Sequence, residues 1–349
     1  MSKVKFALCG CGRVAGKWFK AFNENPEAEL IAIADPDPLA KNNSINTAYE
    51  NIPFYSTIEQ IYSELNPDAT IILTPPQYHS RYIQEAIDHN NHVLVEKPMC
   101  IDLNQFYYLN KYNEIAKKKQ LQFAVNQQYR WNPRIEAIRK AVEQNLIGDI
   151  FQVHSKLNQN DYEFTGWWRK QLRYISLFNW YVHPIDTMRY YLNQKPVEVS
   201  ANFIRPPHST IFGYSSMVLN VQFEKTYWTF AANQEGKHGY TDSGHTSFVM
   251  YGTKGTMVNT KNRAPEVFLE NNKPIELGQN IANIDNAFKY PPGWGESLRK
   301  FVYSIKHNEP YPTNFDDNKY TMAIVFAAIK SHEERRVVKI SEIFDFLKG

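Results

Sequence analysis

Hydrophobic and polar positions follow two regimes along the chain, and the change comes near residue 125. Before it, short apolar runs alternate with amphipathic stretches. Val4 to Cys9, Glu29 to Ala34, Pro53 to Tyr55, Ala69 to Thr74, His92 to Val95 and Leu121 to Val125 read as strands. Between them, Lys17 to Asn23, the polar Asn42 to Glu50, Thr57 to Leu65, Arg81 to His89 and Leu103 to Lys119 carry helical spacing, with Thr57 in N-cap position. Alternating strands and helices predict a parallel sheet covered on both faces, the doubly wound α/β arrangement. Beyond the change, a helix from Ile135 to Gln144 stops near Gly148, and strands then dominate: Ile150 to Leu157, Val197 to Ile204, Met217 to Phe223, Trp228 to Asn233, Ser247 to Tyr251 and Thr256 to Asn259. Strands in succession predict a mainly antiparallel sheet. Helices close the chain at Gly295 to Lys306 and at Asp317 to Ser331, the second with Asp316 as its expected N-cap. Two domains follow from this pattern, 1–125 and 126–349, and 349 residues are long for a single core.

Composition narrows the partners. The 39 basic and 36 acidic residues are well mixed and leave a formal charge of +3, with no basic block to track a nucleic acid backbone. No apolar run approaches the roughly 20 residues that cross a bilayer, and the first residues lead straight into a strand, so a soluble, cytoplasmic protein is expected. Cys9, Cys11 and Cys100 fit a reducing compartment, and no His or Cys pair near the first two completes a metal site. The 22 Tyr and 7 Trp suit a cleft or a subunit interface.

The most specific local chemistry lies at the first strand end. Gly10-Cys11-Gly12-Arg13-Val14-Ala15-Gly16 joins a strand to a helix, as a turn that cradles a pyrophosphate does, and Ala15 meets the requirement for a third small residue. Gly16 is expected to add room for helix and strand to touch. The second strand ends in Asp35, about 20 residues on, where a carboxylate holds ribose hydroxyls. A 2′-phosphate would meet that charge and Pro36 and Asp37 offer it no guanidinium, so NAD is expected rather than NADP. Further strand ends deliver Thr74-Pro75-Pro76 with His79, and Glu96-Lys97-Pro98, in which the proline holds Lys97 extended and therefore aimed. His79 could line the cofactor cleft or cap its own loop.

These motifs, with His183 and Asp186 in Trp180-Tyr181-Val182-His183-Pro184-Ile185-Asp186 and with Gly252-Thr253-Lys254-Gly255-Thr256, resemble the Gfo/Idh/MocA oxidoreductases nearly from end to end. The resemblance implies an N-terminal Rossmann domain, a second domain with a large open antiparallel sheet used for assembly as a homodimer or homotetramer, and NAD(P)-linked oxidation of sugars, sugar nucleotides or cyclitols. It implies a cofactor site of Gly10, Gly12, Arg13, Val14, Asp35, Thr74, Pro75, His79, Glu96, Lys97 and Gln128. It marks Lys97 as catalytic and His183 as the acid/base.

The chain departs from that family just before His183. Asn179 stands where a carboxylate is common, Tyr181 where a glycine is, and Arg173 to Leu177 replaces an upstream glycine pair. Lys97 would stabilise a developing alkoxide while His183 takes the hydroxyl proton. Asn179, Asp186, Arg130, Trp168 and Arg169 are the candidate substrate contacts, with Arg130 open to a structural ion-pair role and Asp186 to one of orienting His183. Trp294 lies on a loop that shapes a pocket or packs beneath it. The altered segment also leaves open a different class of protein, a sensor that binds the dinucleotide without turning over a substrate.

Overall fold

The computed structural model describes residues 2–44, 47–159, 171–236, 246–261, 263–270, 273–278 and 293–348. It divides into two compact units, Met1–Gln128 with Pro292–Lys319, and Tyr129–Pro291 with Tyr320–Lys348.

In the first unit, strands β1 (Val4–Cys9), β2 (Ala28–Ala34), β3 (Phe54–Tyr55), β4 (Ala69–Ile72), β5 (His92–Glu96) and β6 (Phe123–Asn126) form one sheet in the order β3-β2-β1-β4-β5-β6. All its pairs are parallel. Helices α1 (Ala15–Asn23), α2 (Ile58–Glu64), α3 (His79–Asp88) and α4 (Leu103–Lys118) connect them. Ala7, Leu8, Ile71, Ile72 and Val95 are fully buried, which is why these strands read as unbroken apolar runs rather than alternations. The strand order reverses between β1 and β4, and ligands of such sheets bind outside that point. Thr57 and Gln60 form a reciprocal capping box at the start of α2, and the Asp102 carboxylate caps α4. The segment expected as a helix from Asn42 to Glu50 differs: a 3₁₀ turn covers Pro38–Ser44 and turns follow. Its polar side chains bond back to the backbone instead of propagating a helix, Ser44 Oγ donating to Lys41 O and Thr47 Oγ1 to Ser44 O.

The second unit begins with α5 (Pro133–Glu143) and holds a nine-stranded sheet. Its strands are β7 (Ile150–Asn158), β8 (Pro196–Ile204), β9 (Ser216–Phe223), β10 (Tyr227–Asn233), β11 (Ser247–Gly252), β12 (Gly255–Asn259), β13 (Glu266–Leu269), β14 (Ile275–Glu276) and β15 (Val338–Lys339), in the order β14-β13-β12-β11-β7-β10-β9-β8-β15. Helix α6 (Val182–Leu192), entered through a π-helical turn at Leu177–Tyr181, lies between β7 and β8 in the chain. The β8-β9-β10 meander then returns β10 beside β7, and this pair is parallel in an otherwise antiparallel sheet. One face carries the core residues Trp228, Phe230, Leu219, Val221 and Met250, all fully buried. Register aligns Tyr251 with Gln152 and Gln152 with Tyr227 on the opposite face, where both tyrosines are exposed.

Helix α7 (Gly293–His307) and the start of α8 (Phe315–Glu334) return to the first unit, and α9 (Ile340–Lys348) ends the chain in the second. Two successive domains split at 125 therefore miss the part played by 292–319. Fully buried Phe301 of α7 meets Phe6 of β1 at 6.2 Å and Tyr311 at 5.6 Å, and Phe315 meets Phe123 at 5.3 Å. Each such ring contributes roughly 2–3 kcal/mol when withdrawn from water, so the apolar stripe of α7 stays on that core. Asn314, not Asp316, caps α8: its Oδ1 accepts from the Asp317 amide at 3.0 Å, while Asp316 sits in the first turn against Lys117 and Lys319.

Candidate active site

Gly10 adopts φ +97°, and a Cβ there would stand 3.0 Å from Thr74 N and 3.1 Å from Leu73 C, both backbone atoms. Only glycine fits on both counts. At Gly12 a Cβ would meet nothing within 4 Å, so its absence leaves open space over the turn rather than relieving a clash within the protein. Gly16 is equally open, contrary to the expectation that it lets helix and strand approach; Ala15, fully buried, fills that contact. Arg13 is exposed, and Val14 begins α1 without any side-chain cap or first-turn acidic residue, which leaves the positive end of the helix suited to an anion. Asp35 Oδ2 accepts from the Cys11 amide at 2.7 Å and Oδ1 from the Asp37 amide at 3.0 Å. A carboxylate has about four acceptor directions, so two remain for vicinal hydroxyls. These features fit a nicotinamide dinucleotide.

The ends of β4 and β5 carry the next group. His79 is buried with Nδ1 2.9 Å from Pro98 O and Nε2 2.8 Å from Thr74 O, tying the Thr74-Pro75 loop to the Lys97-Pro98 turn. Burial pushes its pKa down to about 4, against the partial opposing effect of those carbonyls. A neutral imidazole carries one N–H, so His79 donates to one of these carbonyls and lies against the other, and the loop-capping alternative describes its position. The Lys97–Pro98 peptide is cis, and Lys97 is half-buried. Beside it, Glu96 Oε1 accepts from Trp18 Nε1 at 3.2 Å, Asn126 Nδ2 at 2.9 Å and Trp294 Nε1 at 3.0 Å. Trp294 belongs to the first turn of α7, not to a loop. Thr74 Oγ1, Gln128 Oε1 and both amide atoms of Gln127 are buried without a hydrogen-bond partner among the described residues. Polar groups in that condition are rare and suit a ligand that supplies the missing bonds.

The 3₁₀ turn Gln128–Trp131 enters the second unit, where Tyr129 and Arg130 meet α6. Tyr129 stacks on His183, ring centroids 4.0 Å apart and planes at 7°, and burial raises the Tyr129 phenol to about 12. Arg130 grips Asp186, Nε to Oδ2 and Nη2 to Oδ1 both at 2.7 Å, and Oδ1 also accepts from Thr321 at 3.0 Å. The pair is buried, so the ion-pair alternative describes Arg130. Asp186 is committed to Arg130, Thr321 and the nearby Arg189 rather than to His183. Asn179 is half-buried in the π-helical turn, one turn ahead of His183. Such turns widen a helix locally and recur at functional sites. Tyr181 reaches inward, donating to Ser215 O at 2.6 Å and meeting Phe230 edge-on. Trp168 and Arg169 lie outside the described residues.

Sequence reasoning passed over two features, the stacking of Tyr129 and the clasp on Glu96. The first had a visible signal, an aromatic residue beside Arg130. Among the described residues no three His, Cys, Asp or Glu side chains gather as metal ligands. Burial raises the thiols of Cys9 and Cys11, the latter to about 11, which keeps them protonated packing groups. No helix of the described residues is long and apolar enough to cross a membrane.

Comparison with known proteins agrees with this fold. An inositol 2-dehydrogenase of Rhizobium meliloti is 23% identical over 350 residues, covering 97% of this chain and 99% of that protein. A 2,7-anhydro-N-acetylneuraminate hydratase of Escherichia coli is 22% identical, with 97% of this chain and 98% of its own covered. A crystal structure of an oxidoreductase from Agrobacterium radiobacter, in complex with NAD+, L-tartaric acid and magnesium, superposes with a TM-score of 0.87 at 20% identity over 98% of this chain and all of that one. Residues 4–127 match the oxidoreductase family with NAD-binding Rossmann fold, residues 135–258 match the GFO/IDH/MocA C-terminal domain, and the chain belongs to the Gfo/Idh/MocA family of oxidoreductases.

Proposed function

We propose that this protein is an NAD-dependent dehydrogenase or reductase, moving a hydride between nicotinamide and a secondary alcohol or ketone of a sugar, sugar nucleotide or cyclitol. The observation that carries the reading is the company of Lys97. It follows the anchored Glu96 at the carboxyl end of β5, in the same unit as the glycine turn and Asp35. Bound NAD supplies the hydride acceptor, and the chain's residues do the rest. Asp35 and the start of α1 hold one end of the dinucleotide. Lys97 Nζ stabilises the negative charge that builds on the substrate oxygen. His183, set by the Tyr129 ring, takes the hydroxyl proton, with Asn179 hydrogen-bonding a neighbouring hydroxyl. Arg130 and Asp186 support that helix through their ion pair.

Replacing Lys97 with Ala is expected to lower turnover by about a hundredfold or more while NADH still binds, the scale for losing one aimed donor. Unchanged turnover in that variant sinks the assignment. Because a 2′-phosphate would meet the Asp35 carboxylate with like charge, NADH is expected to bind more tightly than NADPH. Equal affinities in fluorescence titrations contradict that preference. We further infer, from the exposed face of the nine-stranded sheet, a homodimer or homotetramer built through it. Tight NADH binding without turnover of any polyol or keto-sugar, together with copurification of a macromolecule, is the outcome that favours a sensor instead.

A further inference from the structure

Glu96 is held more firmly than its motif requires. Three N–H groups converge on Oε1, two of them indoles, which can only donate. The third comes from Asn126, whose orientation is set because Ser297 Oγ donates to its Oδ1 at 2.7 Å and turns its Nδ2 toward Glu96. Trp294 and Ser297 are one turn apart on α7, hence on one face. That face therefore fixes the carboxylate twice, directly through an indole and indirectly through an amide. Glu96 Oε2 bonds none of the described residues. Sheet order adds the direction. Asp35 ends β2 on one side of β1, whereas Glu96 ends β5 on the other, beyond β4. A dinucleotide whose adenosine ribose lies on Asp35 and whose pyrophosphate lies on α1 extends its nicotinamide half toward β4 and β5.

We propose that Trp294, supplied 198 residues after Glu96 in the chain, is a positioning residue for the dinucleotide site. Its indole N–H, with Trp18 and the Ser297–Asn126 pair, holds Glu96 so that Oε2 accepts a hydrogen bond from a donor on the nicotinamide half of the cofactor. The inference rests on the NAD-dependent reading above and deepens it: α7 is part of the cofactor site, although it stands outside the contiguous sequence of the dinucleotide fold.

The test is a double-mutant cycle read by NADH titration of the full-length protein. Trp294→Phe keeps the ring and removes only the N–H. It is expected to weaken NADH about tenfold, the scale of a hydrogen bond to a charged acceptor, with the Michaelis constant for NAD raised and turnover at saturating NAD kept. In a Glu96→Ala background the same change is expected to shift affinity by less than about twofold, because its route to the cofactor is gone. Glu96→Gln serves as the second background if Glu96→Ala does not fold. Equal weakening in both backgrounds, or none in either, overturns the proposal while leaving the NAD-dependent reading intact. An unaltered protein that binds no NADH overturns both.

Discussion

Among single residues, His79 ties two loops of the first unit together, its ring lying between Pro98 O and Thr74 O. Its burial has a measurable consequence. The folded pKa of about 4 lies below the ordinary histidine value of 6.5, so between these values the unfolded chain binds more protons than the native one. Stability from His79 is therefore present above about pH 6.5 and is lost as pH falls toward 4, by up to about 3 kcal/mol. Urea unfolding of the unaltered protein and of His79→Gln across that range measures it: the variant's stability is expected to fall less steeply with acid. Parallel pH dependence in the two proteins would contradict the assignment. Asp35 and Lys97 are legible in the sequence because each stands at a strand end within a few residues of the turn that aims it, whereas His79 reads two ways because Pro98 O and Thr74 O belong to separate loops, and a sequence cannot show which of several acids Arg130 will choose 56 residues away.

At the scale of elements, periodicity served well where one face meets a core and poorly where polar side chains compete with the backbone. The N-cap at Thr57 was legible because its contact closes within four residues. The stretch after Asp35 was not, because its serine and threonine hydroxyls bond to nearby carbonyls and stop a helix. The role of α7 was hidden for another reason: its amphipathic stripe states that it packs, not on which sheet. The nine-stranded sheet raises the remaining question of this scale. Tyr227 and Tyr251 stand exposed on the face away from its core, with Val218 also exposed on β9. Light scattering of the purified protein is expected to give the mass of two or four chains, and Tyr227→Glu to reduce it by placing charges in that interface. A monomeric unaltered protein rules out assembly through this face.

At the scale of the whole molecule, the two units carry different parts of the proposed chemistry. The first holds the glycine turn, Asp35, Glu96 and Lys97; the second holds His183, stacked on Tyr129, and the π-helical turn with Asn179. Membership in the family was legible because its motifs keep their order along the chain. The substrate was not, because the segment before His183 departs from the family and Trp168 and Arg169 lie outside the described residues.

A hydride that passes from a carbinol carbon to NAD can be followed by its isotope. The protein should be incubated with NAD and a panel of inositols, aldoses and sugar nucleotides deuterated at their carbinol positions, and the nicotinamide then analysed by mass spectrometry. Reduced nicotinamide carrying one deuterium is expected from at least one compound, with the signal lost in Lys97→Ala. Tight NADH binding with no deuterium transferred from any member of the panel would rule out a dehydrogenase.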